Sequence, residues 1–203
     1  MPARGTLAAM PPSLALAVFV GVMVLMQVAP SATTQPGGRL VDFDDDAAND
    51  RWRMTNDNVM GGRSDGSVSF ADGVMSFHGD INTDGGGFSS VRLPIDEGTL
   101  AGATALTIRL QHDGRSPYRL LVVDAAGQPR EILHRRDLPL DNVPAGEWHE
   151  ITIDLDSLEP SFHGEPTDAA PLDPTKAMEI GFILNDTGDG PFELKVDWID
   201  VVK

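Results

Sequence analysis

The chain of 203 residues contains no cysteine. This absence excludes disulfide bonds, thiolate metal sites and a cysteine nucleophile, and it excludes a lipid anchor that must be attached to a cysteine. The fold must therefore rest on packing alone. The absence of cysteine does not identify the redox compartment, because a chain without thiols is compatible with an oxidising and with a reducing environment.

Basic residues are also scarce. The chain has 15 lysines and arginines against 31 aspartates and glutamates, which gives a net charge of -16. A field of this sign repels phosphate backbones and anionic lipid headgroups. We therefore expect no nucleic acid partner and no docking on an anionic membrane.

One long apolar run is present, at residues 14–29, preceded by Arg4 and followed by the small residues Ser31 and Ala32. The run is shorter than the roughly 20 residues that a spanning helix needs, and it has the pattern of a secretory signal. We expect residues 1–38 to be a signal peptide with a short linker, and the mature protein to be exported to the periplasm or the extracellular space without stable membrane insertion. An uncleaved N-terminal membrane anchor is the alternative.

After Gly38, short apolar runs alternate with turn residues at intervals of roughly ten, which is typical of an all-β antiparallel sandwich or barrel. We predict a single domain over residues 39–203. The stretch 156–176, rich in proline and acidic residues, is predicted to be a long surface loop with one helical turn at its exit. Candidate strands cover residues 40–43, 52–54, 67–70, 74–78, 88–93, 105–111, 118–123, 130–134, 148–155, 180–184 and 192–202.

The alternation of apolar and polar residues assigns faces within these strands. In the strand at 105–111, the apolar residues 106, 108 and 110 should point into the core. At residues 149 and 150 the alternation slips by one residue, which indicates a bulge. In the last strand the alternation is interrupted near Trp198. Trp148 and Trp198 lie within apolar strands and are expected in the core, whereas Trp52 is the tryptophan that we expect beside a ligand.

Two polar, glycine-dense segments stand out: the first glycine motif, Asn56–Gly66 (NDNVMGGRSDG), and the second glycine motif, Gly85–Arg92 (GGGFSSVR). Glycine allows a positive φ and close backbone approach, so we expect shaped loops that lie together at one end of the sandwich. Arg63 and Arg92 either clamp a ligand carboxylate or form internal ion pairs with Asp57 or Asp80, which we favour. The predicted binding residues are Trp52, Asn56, Asp57, Met60, Arg63, Ser64, Phe88, Ser90 and Arg92.

Catalytic signatures are missing. The five histidines have no i, i+4 spacing, so zinc has no local support, and no G-x-S-x-G elbow surrounds the motif serines. Carboxylate pairs are too common in so acidic a chain to indicate a hydrolase. We predict a protein that is not an enzyme and has no catalytic residues, metal site or cofactor. Calcium at the first motif with the acidic run 42–46 stays open.

The first motif together with Trp52, the second motif and the C-terminal strand FELKVDWIDV resembles the NADH:ubiquinone oxidoreductase intermediate-associated protein 30 family. The resemblance spans about residues 40–202. It implies a galactose-binding-like, jelly-roll β-sandwich and a non-enzymatic accessory role, which in mitochondria is the assembly of respiratory complex I. The matching residues are Trp52, Asn56, Asp57, Val59, Met60, Gly61, Gly62, Ser64, Gly66, Gly79, Gly86, Gly87, Phe88, Ser90 and Arg92.

The leading hypothesis is thus an exported binding module that acts on a protein partner or folding intermediate. A secretory signal would place it away from the compartment in which complex I is built, so the fold transfers and the specific assembly role does not. An extracytoplasmic carbohydrate-binding module is the alternative, because the first motif offers amide and carboxylate oxygens beside a tryptophan.

Overall fold

The computed structural model describes residues 1, 36–125, 131–185 and 188–203. Most of the predicted signal segment, and Arg130 at the start of a candidate strand, lie outside the described residues. Within the described part of the chain, no helix is long and apolar enough to cross a membrane.

Thirteen strands and one short helix make up the described secondary structure, with 3₁₀ turns at Asp57–Met60, Leu155–Ser157 and Pro174–Lys176. The last of these turns confirms the helical turn predicted at the exit of the 156–176 stretch. In chain order the elements are β1 Pro36–Val41, α1 Asp46–Asn49, β2 Arg53–Asn56, β3 Asp65–Ala71, β4 Val74–Ile81, β5 Phe88–Pro94, β6 Ala105–His112, β7 Tyr118–Asp124, β8 Leu133–Asp137, β9 His149–Asp154, β10 Glu159–Phe162, β11 Glu165–Pro166, β12 Ala177–Asn185 and β13 Gly190–Val202.

The strands form two antiparallel sheets. The six-stranded sheet has the order β3-β4-β13-β6-β9, with β1 as its sixth strand paired to β13. The seven-stranded sheet has the order β11-β10-β8-β7-β12-β5-β2. Strand β13 is long enough for its first half to pair with β4 and its second half with β1, while β6 pairs along its other edge. The predicted all-β antiparallel sandwich is confirmed.

The core fills the space between the sheets. In β6, Leu106, Ile108 and Leu110 are each 0 % exposed, whereas Thr107 and Arg109 face outward, as the alternation predicts. Burial of such side chains is the main stabilising contribution in a chain without disulfides.

Strand β7 departs from this alternation because both of its faces are apolar. Tyr118, Leu120 and Val122 join the main core, while Leu121 and Val123 form a second buried cluster with Ile183 on the outer side of the seven-stranded sheet.

The predicted long loop at 156–176 is wrong in its first half. Strands β10 and β11 form a hairpin there, and β10 pairs with β8. The hairpin turns at His163 and Gly164, both with positive φ of 50° and 86°, the geometry of a two-residue turn that matches strand twist.

The bulge predicted at residues 149 and 150 is also wrong. Strand β9 pairs with β6 without interruption, from His149 opposite Leu110 to Asp154 opposite Ala105. The break near Trp198 is confirmed, since the register of β13 against β6 shifts between Val196 and Trp198.

The tryptophans reverse their predicted environments. Trp52 is 5 % exposed and packs on Phe43 in the core. Trp198 is half-buried on the outer face of the six-stranded sheet, with the Arg39 guanidinium 4.4 Å from its ring centre. Trp148 is half-buried too and stacks with Arg109 at 5.1 Å. The prediction that Trp148 and Trp198 are core residues is therefore wrong, because an arginine covers each ring in place of the opposite sheet.

Candidate functional site

The two glycine motifs meet at one buried carboxylate, that of Asp57. This side chain is 0 % exposed and opens the 3₁₀ turn that follows β2. Its Oδ2 atom accepts hydrogen bonds from the backbone amides of Gly87 at 2.6 Å and Phe88 at 3.3 Å. Both donors belong to the second motif, so the carboxylate holds the two loops next to each other, as the sequence predicts.

The first motif closes on the same carboxylate. The backbone amide of Ser64 donates to Oδ1 of Asp57 at 2.8 Å, and the Ser64 hydroxyl donates to Oδ2 at 2.6 Å. The Ser64 hydroxyl also accepts from the backbone amide of Asn82 at 3.1 Å. Because Asp57 has no ion-pair partner among the residues that the structure describes, N–H and O–H dipoles alone stabilise its charge.

These contacts set the pKa of Asp57. Burial raises the pKa, but the hydrogen bonds from the Ser64 hydroxyl and from the amides of Gly87, Ser64 and Phe88 outweigh burial, so the pKa lies below its ordinary value of 3.8. Asp57 is therefore ionised at neutral pH, and it acts as a structural anchor for the loops.

The glycines explain why the carboxylate fits. A Cβ atom at Gly62 would lie 2.3 Å from the Asp57 carboxyl carbon, and one at Gly86 would lie 2.3 Å from Oδ2. Gly61 and Gly87 have positive φ of 92° and 130°, which other residues adopt only with strain. The motif glycines thus shape the chain around Asp57.

Asn56 makes a second internal link beside this anchor. Its side-chain amide donates to the carbonyl of Gly66 at 3.0 Å, and its oxygen accepts from the Ser89 hydroxyl at 2.6 Å. Three of the predicted binding residues therefore use their polar groups to hold the loops together: Asn56, Asp57 and Ser64.

The turn that Asp57 anchors presents two apolar side chains to solvent. Val59 is 69 % exposed and Met60 is 64 % exposed, whereas Met178, the next most exposed large apolar residue in the described strands and loops, is 37 % exposed. We call Val59 and Met60 the apolar tip. Because the turn is pinned at its base, a partner that covers the tip would lose little loop entropy.

An ion pair lies beside the apolar tip. Arg63 Nη1 is 2.6 Å from Asp84 Oδ2, and both side chains are about 70 % exposed. The internal ion pair predicted for Arg63 is present, with Asp84 as its partner in place of Asp57 or Asp80.

The other predicted residues lie in the core or along β5. Trp52 is in the core, and buried Ser90 donates to the carbonyl of Thr55 at 3.2 Å. Phe88 is half-buried at the start of β5. Arg92, farther along β5, forms ion pairs with Glu131 and with Glu179, so its predicted partners also differ.

Val59 and Asp84 are absent from the predicted set. The signal for Val59 is its place beside Met60 in a glycine turn with polar neighbours, where an apolar pair has no strand to join. Asp84 directly precedes the second motif in NTDG, and no spacing rule links it to Arg63.

No group of three His, Cys, Asp or Glu residues within the described residues could hold a metal ion. A polar cleft of about 730 Å³ lies between β8, β9 and β10. None of its described lining residues belongs to either glycine motif. Its described lining mixes arginine, hydroxyl and carboxylate groups and contains no aromatic ring.

Two facing antiparallel sheets with shaped loops at one end define a galactose-binding-like β-sandwich module. The same fold occurs in the family 11 carbohydrate-binding module of cellulase Lic26A-Cel5E from Clostridium thermocellum, with a TM-score of 0.56, 15% identity and coverage of 81% of this chain and 92% of that module. The solution structure of CtCBM11 matches with a TM-score of 0.59, 17% identity and coverage of 85% and 98%. The agarase AgWH50C matches with a TM-score of 0.55 and 10% identity, over 82% of this chain and 24% of the agarase. At these identities the likeness is one of fold.

The chain belongs to the complex I intermediate-associated protein 30 (CIA30) family, whose model matches residues 41–196. A search of curated proteins found no match. The matched range contains both glycine motifs and the Asp57 anchor, so the resemblance noted in the sequence is confirmed.

Proposed function

We propose that this protein is a non-catalytic binding module that holds a protein partner or folding intermediate through its apolar tip. The observation that carries the proposal is the exposure of Val59 and Met60 on a turn that hydrogen bonds to the buried Asp57 carboxylate tie to both motifs. Methionine adapts to varied apolar surfaces, which suits a partner that is still incompletely folded. Membership of a family named for intermediates of complex I supports the same class of partner.

The binding surface in this proposal consists of Val59, Met60, Arg63 and Asp84. Asn56, Asp57 and Ser64 position that surface from below, through the hydrogen bonds that link the two motifs. Arg92 is engaged with Glu131 and Glu179, so we place it outside the surface.

A pull-down from the native extract tests the tip. The double variant Val59→Ser/Met60→Ser should lose the partner that the wild type recovers, because it removes the apolar contact and leaves Asp57 untouched. Met178→Ser is the matched control, since it also removes an exposed apolar side chain. Equal recovery by the double variant and the wild type would refute the proposal. Arg92→Ala should recover the partner normally.

We further propose that the mature protein is exported and that a signal peptide within residues 1–38 is cleaved off. The apolar run at 14–29 supports this, with the small residues that follow it. Mass spectrometry of the protein from an exported fraction should give a chain that begins near residue 33. A full-length, membrane-retained product would contradict export by a cleaved signal.

Carbohydrate binding is the second candidate. The supporting observation is the fold shared with a family 11 module from Clostridium thermocellum, which was solved with a β-1,3-1,4-mixed-linked tetrasaccharide (TM-score 0.56, 16% identity). That tetrasaccharide at about 100 times its Kd should raise the free energy of unfolding by about 2.7 kcal/mol. An unchanged melting temperature would remove this candidate, and the missing aromatic ring in the described lining of the polar cleft favours that outcome.

A further inference from the structure

The surroundings of the apolar tip carry an excess of negative charge. Asp65 in β3 and Asp80 in β4 are directly opposite each other in the strand register, and both are exposed. Like charges at opposite positions of a ladder are destabilising. Neither residue forms an ion pair within the described part of the chain, so this repulsion is not relieved by a neighbouring cation.

The adjoining loops add two more carboxylates. Asp84 precedes the second motif, and Gly85 next to it is packed against Gly61 at the end of the tip turn. Asp189 accepts hydrogen bonds from the backbone amide and the hydroxyl of Thr83, both at 2.7 Å, which ties the loop before β13 to the same end of the sandwich. We call Asp65, Asp80, Asp84 and Asp189 the acidic rim.

The described cations at this end, Arg63 and Arg115, balance only part of the four carboxylates of the acidic rim. Arg63 pairs with Asp84, and both side chains are largely exposed, so the pair is screened and easily exchanged. Arg115 donates hydrogen bonds to the carbonyls of Gly188, Gly190 and Pro191 and so holds that loop, and its positive charge also acts on Asp189. The local excess has the same sign as the net charge of -16.

We infer that the partner element is a cationic amphipathic segment, with an apolar face that covers Val59 and Met60 and with lysines or arginines that meet the acidic rim. This inference rests on the proposed function and adds the chemistry of the partner. Such a segment would bury apolar area at the tip and relieve the repulsion between Asp65 and Asp80. The long-range field would also accelerate its association.

Other occupants fit this surface less well. An acidic or phosphate-bearing partner would meet repulsion from the rim and from the whole molecule. A neutral apolar segment would cover the tip but leave the opposed carboxylates of Asp65 and Asp80 uncompensated.

Isothermal titration calorimetry with synthetic helical peptides tests the inference. The probe is a peptide of leucine and lysine of about 18 residues, or five helical turns. A leucine–glutamate peptide and a lysine–serine peptide of the same length serve as references for charge sign and for apolar content. The wild type should bind the leucine–lysine peptide, and raising the salt from about 50 to about 300 mM should weaken that binding.

Two charge variants localise the effect. Asp65→Asn/Asp80→Asn should weaken binding of the leucine–lysine peptide by about tenfold, a change of about 1.4 kcal/mol. Asp96→Asn/Glu97→Gln is the matched control, because it removes the same charge from exposed residues beyond the far end of β5, and it should change affinity by less than about twofold. The melting temperature of each variant checks that it is folded.

Each outcome decides a separate question. Equal weakening by both charge variants, or equal binding of the leucine–glutamate peptide, would overturn the cationic partner. If Val59→Ser/Met60→Ser abolishes capture of the native partner while Asp65→Asn/Asp80→Asn leaves it intact, the tip is the site and its partner is not cationic. If the tip variant has no effect on capture, the proposed function itself fails.

Discussion

Replacing Asp57 by alanine should cost more stability than any exposed acidic substitution in this protein. The variant leaves the buried amides of Ser64 and Gly87 without an acceptor, and each unsatisfied buried group costs about 1–3 kcal/mol. It also loses the short contact from the Ser64 hydroxyl at 2.6 Å, and a hydrogen bond to a charged group contributes about 1.5–3 kcal/mol. The cost of burying the carboxylate offsets part of this sum.

The expected net loss is about 3–5 kcal/mol, which is a large part of the total stability of about 5–15 kcal/mol that is usual for a folded domain. Urea denaturation followed by circular dichroism measures it as a fall in the midpoint at constant slope. Asp84→Ala is the control, since it removes an exposed ion pair with Arg63 and should cost less than about 1 kcal/mol. A loss below about 1 kcal/mol for Asp57→Ala would refute the view that this carboxylate organises the two motifs.

Three further predictions follow from the same geometry. The pKa of Asp57 lies below 3.8 in the folded protein, so its contribution to stability is complete above about pH 4 and is lost as the pH falls through the folded pKa. The difference in urea midpoint between wild type and Asp57→Asn should therefore hold from about pH 7 to 5 and shrink below about pH 4. A difference that grows on acidification would contradict this prediction. Gly61→Ala should lower the free energy of unfolding by about 1 kcal/mol through its positive φ alone, because a Cβ there meets open space. Gly62→Ala should lower it more, because its Cβ would lie 2.3 Å from the Asp57 carboxyl carbon. Equal urea midpoints for the two variants would argue against that steric contact. The variant Trp148→Phe/Trp198→Phe retains only buried Trp52 and should fluoresce at a shorter wavelength and resist acrylamide quenching, and strong quenching would show that Trp52 is accessible.

The parts of the fold that could be predicted are those with local signals. The hairpin from β3 to β4 turns at Asp72 and Gly73, both with positive φ, and Asp-Gly between alternating strands is a strong hairpin signal. The hairpin from β10 to β11 uses the same conformations at His163 and Gly164. Histidine is uncommon there, and the nearby prolines favour a loop, so this hairpin could not be read from the sequence.

Side-chain environments proved harder to predict than strands. An apolar neighbourhood suggests a buried tryptophan, but the outward faces of β6 and β1 supply Arg109 and Arg39 to cover Trp148 and Trp198. Conversely, Trp52 stands beside a polar motif in sequence while its ring turns into the core. The environment of each tryptophan depends on which strands become neighbours, and this pairing joins residues that are far apart in the sequence.

At the candidate site, the sequence predicted that the two motifs converge but not how their residues are used. The oxygens of Asn56 and Asp57 suggest a ligand, yet the donors that satisfy them come from Ser64, Ser89 and Gly87. The pairings with Gly87 and Ser89 span about 30 residues of sequence and leave no periodic pattern. A buried anchor and an exposed binding group therefore look alike in the sequence.

Strand β13 has a consequence for biogenesis. It lies in the middle of the six-stranded sheet, where it pairs with β4, β6 and β1, and it follows all three of these strands in the sequence. Contacts over such sequence separation form slowly, and a nascent chain halted before Gly190 should remain sensitive to protease. Strands β1, β4 and β6 therefore lack their shared neighbour until residues 190–202 are available, so this sheet can close only late in folding.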